Sequence, residues 1–232
     1  IEQPFKINAF SANPCLPAPF HLLPAFGGLS YLSFPEKIGL ARGLKQLALT
    51  PLDLDNEPTI AAWLVEQKQS QNVIDRFWNV VLVSALSESL ERISLSHARK
   101  VFVDGFLRTR NGWQVLIPTV PLEKLYGEVI LKRLEKQQAK VHLQTGVDRV
   151  QITDGKVTGV QLRDGREIAC ERVVLAVPHQ RVLSMLPDEF EGRESLSKIE
   201  QIESAPITSV HLWFDREITA LPHAVFVDSL SQ

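Results

Sequence analysis

VHLQTGVDRVQITDGKVTGVQLRDGREIACERVVLAVP, residues 141–178, decides the fold. Two Asp-Gly pairs, Asp154-Gly155 and Asp164-Gly165, separate runs in which apolar and polar residues alternate. Glycine accepts the positive φ of a tight hairpin turn, so each pair marks a reversal and the runs predict a three-strand antiparallel meander. The residues after it, 173–177, are apolar at every position. Such a run suits a strand covered on both faces, as in a parallel sheet flanked by helices. Residues 141–143 read as a short strand ahead of the meander. Residues 121–138 read as a helix, because Leu122, Leu125, Val129, Ile130 and Leu134 recur at helical spacing. The predicted order is helix, strand, meander, strand, with 173–177 lying parallel to and beside 141–143.

At 232 residues, 44% hydrophobic and 22% charged, the chain can bury one large core or two small ones. A net charge of −2 argues against nucleic-acid binding, which needs clustered Lys and Arg. Cys15 and Cys170 are too few for a disulfide framework or a zinc site, which points to a reducing compartment and a cytoplasmic location. The six histidines show no H-E-x-x-H spacing, so no metal is expected, and no G-x-S-x-G elbow suggests a hydrolase. None of the twelve glycines falls in the G-x-G-x-x-G spacing that brings backbone against a pyrophosphate.

Taken from the start, residues 5–10 alternate like a strand, and Pro14, Pro17 and Pro19 close off any helix nearby. Residues 20–34 are rich in Leu, Phe and Tyr, and 36–49 combine helically spaced apolar residues with Lys37, Arg42 and Lys45. Two readings stand side by side: core packing, or peripheral membrane contact through 20–49. Thr59 is placed to cap a helix over 60–67, Ser70 caps the next, and a third covers 94–107. Helices are also expected at 179–186, ended by Pro187, and at 191–202, with strands at 207–214 and 225–227.

The order of elements in 118–178 resembles the second half of the FAD domain in the amine oxidase and phytoene desaturase superfamily. The resemblance rests on the helix, the Asp164-Gly165 meander and the ending Ala176-Val177-Pro178. It implies that the backbone of Val147 meets the FAD adenine and that Ala176, Val177 and Pro178 lie near the cofactor. Two positions depart from the pattern: Thr119-Val120-Pro121 stands where Gly-Gly is usual, and Glu171 where Asp is usual. Leu16 to Leu23, Val103 to Leu107, Ile117-Pro118 with Pro121-Leu122, and Pro206 to Asp215 are similar to the squalene-associated FAD-dependent desaturases, or hydroxysqualene dehydroxylases.

What the resemblance implies is an α+β chain. A partial FAD/NAD(P)-binding domain occupies 116–189, and a mixed helical and β-sheet substrate domain of the amine oxidase type is split between 1–115 and 190–232. The phosphate-binding turn and a second flavin-contacting segment are expected outside this internal fragment, which alone would be inactive. The implied activity is that of an FAD-dependent oxidoreductase on a long isoprenoid, reducing hydroxysqualene to squalene. A carotenoid-type desaturase, another flavin amine oxidase and a non-catalytic lipid-binding module are the alternatives. For dehydroxylation the candidate general acid is Asp104, which interrupts an apolar run where burial would raise its pKa, against the simpler role of a turn residue before Gly105. Phe102, Phe106 and Trp213 are the candidate substrate-lining residues. Most helical aromatics are expected in the core.

Overall fold

The computed structural model describes residues 7–51, 56–190, 194–221, 225 and 227. The chain divides into two compact units, Ile1–Val115 with Ala205–Gln232, and Leu116–Ser204. The helix over Glu194–Glu200 therefore belongs with the second unit.

The first unit is helical. After a 3-10 turn at Phe20–Leu22 come α1 (Leu23–Gly28), α2 (Phe34–Leu49) and α3 (Ile60–Glu66). Next is α4 over residues 71–86, whose Ile74–Trp78 portion is π-helical, and then α5 over 95–107, π-helical from Lys100 to Leu107. The starts follow local chemistry. Thr59 Oγ1 accepts from Ala62 N at 3.3 Å and Ser70 Oγ from Val73 N at 3.4 Å, each satisfying an amide the first turn leaves free. Ser33 and Glu36 form a reciprocal capping box at the head of α2.

The core gathers Leu40, Leu44 and Leu47 of α2 with Trp63, Leu64, Phe77, Trp78 and Phe102. Phe102 stacks on Phe77 with centroids 5.7 Å apart and meets Trp78 edge-on at 4.7 Å. Gly43 makes room for this: a Cβ there would stand 3.1 Å from the Trp78 ring and 3.0 Å from Gln69 Nε2. Gln69 in turn accepts from Trp78 Nε1 at 3.1 Å and donates to the Gly39 carbonyl at 3.0 Å.

In the second unit α6, over 123–136, precedes β1 (Val147–Thr153), β2 (Lys156–Leu162) and β3 (Glu167–Ala169). These strands form the expected antiparallel meander in the order β1-β2-β3, with Val150 opposite Val160 and Val160 opposite Ile168. Asp154 and Gly155 both carry positive φ, 50° and 72°, and Gly165 has φ 85°, as the Asp-Gly turns require. Val150, Leu162 and Met185 are its buried side chains. Met185 belongs to a 3-10 turn that continues α7 (His179–Val182), and α8 covers Glu194–Glu200.

Three predicted strands do not form. Residues 141–143 and 173–177 are not paired with one another or with any other described strand, so the parallel neighbours expected of a two-sided sheet are missing among the described residues. The chain leaves the meander after Cys170 N donates to Thr158 O at 3.2 Å, and Val174 is then 91% exposed. A strand needs an adjacent edge to take its N–H and C=O groups, and these segments meet none. Residues 207–214 are likewise irregular and exposed; 7–10 are irregular too, with Phe10 half-buried against the core. The rest of the strand predicted over 5–10, and most of 225–227, lies outside the described residues. Helix α6 does form, but Leu125, Val129 and Ile130 remain exposed along it, as does Leu122 at its N-cap.

Candidate flavin site

A cavity of about 380 Å³ lies within the second unit. Val147 at the start of β1 and Val160 of β2 form part of its wall, and the extended residues 173–178 another; Arg163, Arg181 and Met185 complete the lining with Thr145. The four residues expected at the cofactor, Val147, Ala176, Val177 and Pro178, are therefore neighbours around one space, although the parallel sheet that was to bring them together is not formed. Pro178 ends the extended segment and starts α7, where Arg181 N donates to Pro178 O at 2.8 Å. Arg163 is held at the other end by its own N–H, 2.9 Å from Gly146 O. A Cβ at Gly146 would come within 2.8 Å of Arg163 Cδ, so any larger residue there would make the Arg163 side chain move aside.

Neither arginine was singled out from the sequence. Arg181 carries a weak signal, following the Ala-x-Pro ending by three residues. Arg163 carries none, because its place depends on how Gly146 folds against the meander.

FAD combines a flat apolar-faced adenine and an isoalloxazine with an anionic pyrophosphate. The valines and Pro178 offer the wall that a ring needs, and two guanidinium groups suit anionic oxygens. No glycine-rich phosphate turn is present in the chain. The residues thus fit the adenine end of the cofactor.

The other expected site residues lie in the first unit and do not cluster as a set. Asp104 sits in the π-helical part of α5, its side chain 45% exposed and its carboxylate 3.0 Å from Arg108 Nη1. The apolar surroundings expected for an acid are absent, and so is the turn: Asp104 and Gly105 are both helical. Phe102 is completely buried and serves the core. Trp213 is 87% exposed and stacks on His211. Phe106 lines a cavity of about 130 Å³ with Phe10, Leu29, Tyr31, Phe77 and Val80. Burial raises the pKa of the Tyr31 phenol there.

The family described as flavin containing amine oxidoreductase matches residues 6–230. The chain belongs to this family. FAD is the cofactor that membership in this flavin-containing family implies. Similar proteins include the 15-cis-phytoene desaturase of Solanum lycopersicum, 24% identical over 227 residues that cover 94% of this chain and 38% of that protein. The 15-cis-phytoene desaturase of Synechococcus elongatus is 23% identical over 239 residues, covering 97% of this chain and 50% of its own. The chain thus spans half or less of these relatives. A crystal structure of an oxidoreductase from Methanosarcina mazei shares the fold with a TM-score of 0.56 at 16% identity, over 78% of this chain and 40% of its own. Membership in the flavin family stands on the match over 6–230, not on the parallel strand pair that the structure lacks. Among the described residues no cluster of His, Cys, Asp and Glu could hold a metal, and no helix is long and apolar enough to cross a membrane.

Proposed function

We propose that the whole protein is an FAD-dependent oxidoreductase acting on a long isoprenoid. The observation that carries the flavin half is the meeting of Val147 with Ala176, Val177 and Pro178 around one apolar cavity, flanked by Arg163 and Arg181. These side chains would exclude water from the ring and set the anionic part of the cofactor against the two cations. FAD, when bound, supplies a donor or acceptor of hydride that no side chain of this chain can replace.

The isoprenoid half is supported by the relatives, whose names specify phytoene. An apolar cavity in the first unit, walled by Phe10, Leu29, Phe77, Val80 and Phe106, suits a small hydrocarbon portion of such a chain. Cavities of about 150 Å³ with similar walls take up benzene. Desaturation of a phytoene-like polyene is the reading the relatives favour. Reduction of hydroxysqualene is the second, favoured by the resemblance of residues 16–23 and 103–107 to the squalene-associated enzymes.

The test is to express the full reading frame, record its flavin spectrum, and incubate it with phytoene under oxidising conditions and with hydroxysqualene under reducing ones. Turnover of one substrate assigns the reaction; a flavin-loaded protein inert to both rejects the isoprenoid. Val147→Asp is expected to lower flavin content and Phe106→Ala to leave it unchanged while weakening substrate binding. Flavin content unaltered in Val147→Asp would remove the cavity from the cofactor site. Asp104→Asn tests the acid role, which requires a fall in hydroxysqualene turnover at constant flavin content; its pairing with Arg108 supports the opposite outcome.

A further inference from the structure

Tyr31 stands in an odd place for a phenol. It lines the cavity of about 130 Å³ in the first unit, whose wall is apolar except at Tyr31 and Arg76. Its backbone is pinned there: Leu29 and Leu32 on either side are buried, and Tyr31 O accepts a long hydrogen bond from Asn72 Nδ2 at 3.5 Å. Arg76 follows Asn72 by about one turn of α4, which brings it to the same side of that helix, and Phe77 and Val80 of α4 supply apolar wall. The Tyr31 ring packs against the core. Its hydroxyl makes no hydrogen bond to any described residue, and loss of water alone raises its pKa.

Phenylalanine would fill the same wall without stranding a polar group, since a hydroxyl taken from water without a partner is destabilising. A ligand oxygen would offset that cost. It has to sit on an otherwise hydrocarbon ligand, because the rest of the wall, Arg76 apart, offers only carbon. An anionic oxygen would need the guanidinium to itself, and Arg76 is already engaged. A neutral hydroxyl needs only the phenol, which can donate to it and accept from it. A cavity of this size holds the hydroxyl and the few carbons beside it, since about 150 Å³ suffices for benzene.

We infer that Tyr31 binds the hydroxyl oxygen of an isoprenoid alcohol in this cavity and sets a preference for the alcohol over the hydrocarbon of the same skeleton. This role rests on the isoprenoid reading of the cavity and adds a substrate class to it. The test is calorimetric titration of the full-length, flavin-loaded protein with geraniol and with deoxygeraniol, the diene of the same skeleton. The unsubstituted protein is expected to bind geraniol about tenfold more tightly, the effect of one well-made hydrogen bond. Tyr31→Phe should lose that preference while binding the diene no worse, with unchanged circular dichroism and flavin content. Phe106→Ala should weaken both ligands alike, which tests the cavity itself. Equal binding of the two ligands by the unsubstituted protein, or a preference that survives Tyr31→Phe, overturns the role of Tyr31; a loss in Phe106→Ala then leaves the isoprenoid reading standing. Failure of both ligands to bind overturns the reading of the cavity and the role of Tyr31 with it.

Discussion

Glu36 shows how much one side chain can join. Its Oε2 accepts from the Ser33 hydroxyl at 2.6 Å and the Ser33 amide at 2.8 Å, while Oε1 accepts from Asn72 at 2.8 Å and Ser70 at 3.3 Å. The Ser33 hydroxyl first, then the Ser33 amide and Asn72, hold its pKa near 2, well below the usual 4.5. A depressed carboxylate contributes stability above its unfolded value and loses it as pH falls through the folded one. The loss is therefore expected between about 4.5 and about 2. Glu36→Gln should lower stability at neutral pH and flatten this acid limb, read from urea midpoints across the pH range; an unchanged limb would show that the carboxylate is not what titrates. The Ser-x-x-Glu spacing at 33–36 announces a capping box in the sequence. The partners at 70 and 72 do not appear there, because nothing local brings them to the head of α2. The same limit hid Arg163, whose seat against Gly146 is a tertiary event.

At the scale of elements, helix ends were readable where the capping group is a near neighbour and unreadable where it is not. Thr59 and Ser70 cap the helices that follow them at once. The end of α2 is capped from far away: Arg99 of α5 donates through Nε to Leu47 O and through Nη2 to Ala48 O, both at 3.1 Å. A cation there satisfies carbonyls left free by the last turn and opposes the negative end of the helix. Arg99→Ala should cost about 2 kcal/mol, within the range for losing charge-assisted hydrogen bonds. Chemical denaturation checks it, and a change within experimental error would mean that water replaces the guanidinium. Phe102→Ala, by contrast, removes a completely buried ring from between Phe77 and Trp78 and should cost about 3–5 kcal/mol. Its effect on flavin content per folded molecule should be nil, which separates a core role from a site role. Strands followed the same division. The meander formed because Asp-Gly turns and alternation are written within its own residues, whereas 173–177 and 207–214 have strand-like composition and no edge to join among the described residues.

For the whole molecule, the flavin reading carries a thermodynamic consequence. A ligand that binds only the folded state stabilises it by mass action, about 2.7 kcal/mol at a hundred times its dissociation constant. Added FAD should therefore raise the melting temperature of the full-length apoprotein, and Val147→Asp should abolish the shift; a shift that survives the substitution would place the adenine elsewhere. Two units, a helical one and one built on the meander, are what the chain presents. Most of the longer helices, the starts at Thr59 and Ser70, and the two reversing turns were legible from residue order, because capping hydroxyls, repeat spacing and the positive φ open to glycine act over a few residues; α1 and the start of α2 at Phe34 were not. Which apolar residues are covered was decided by packing. Phe102 vanished into a core and Trp213 stayed in the open, while Val147 met Pro178 without the sheet expected between them. Burial depends on partners distant along the chain, and one line of sequence does not record that distance.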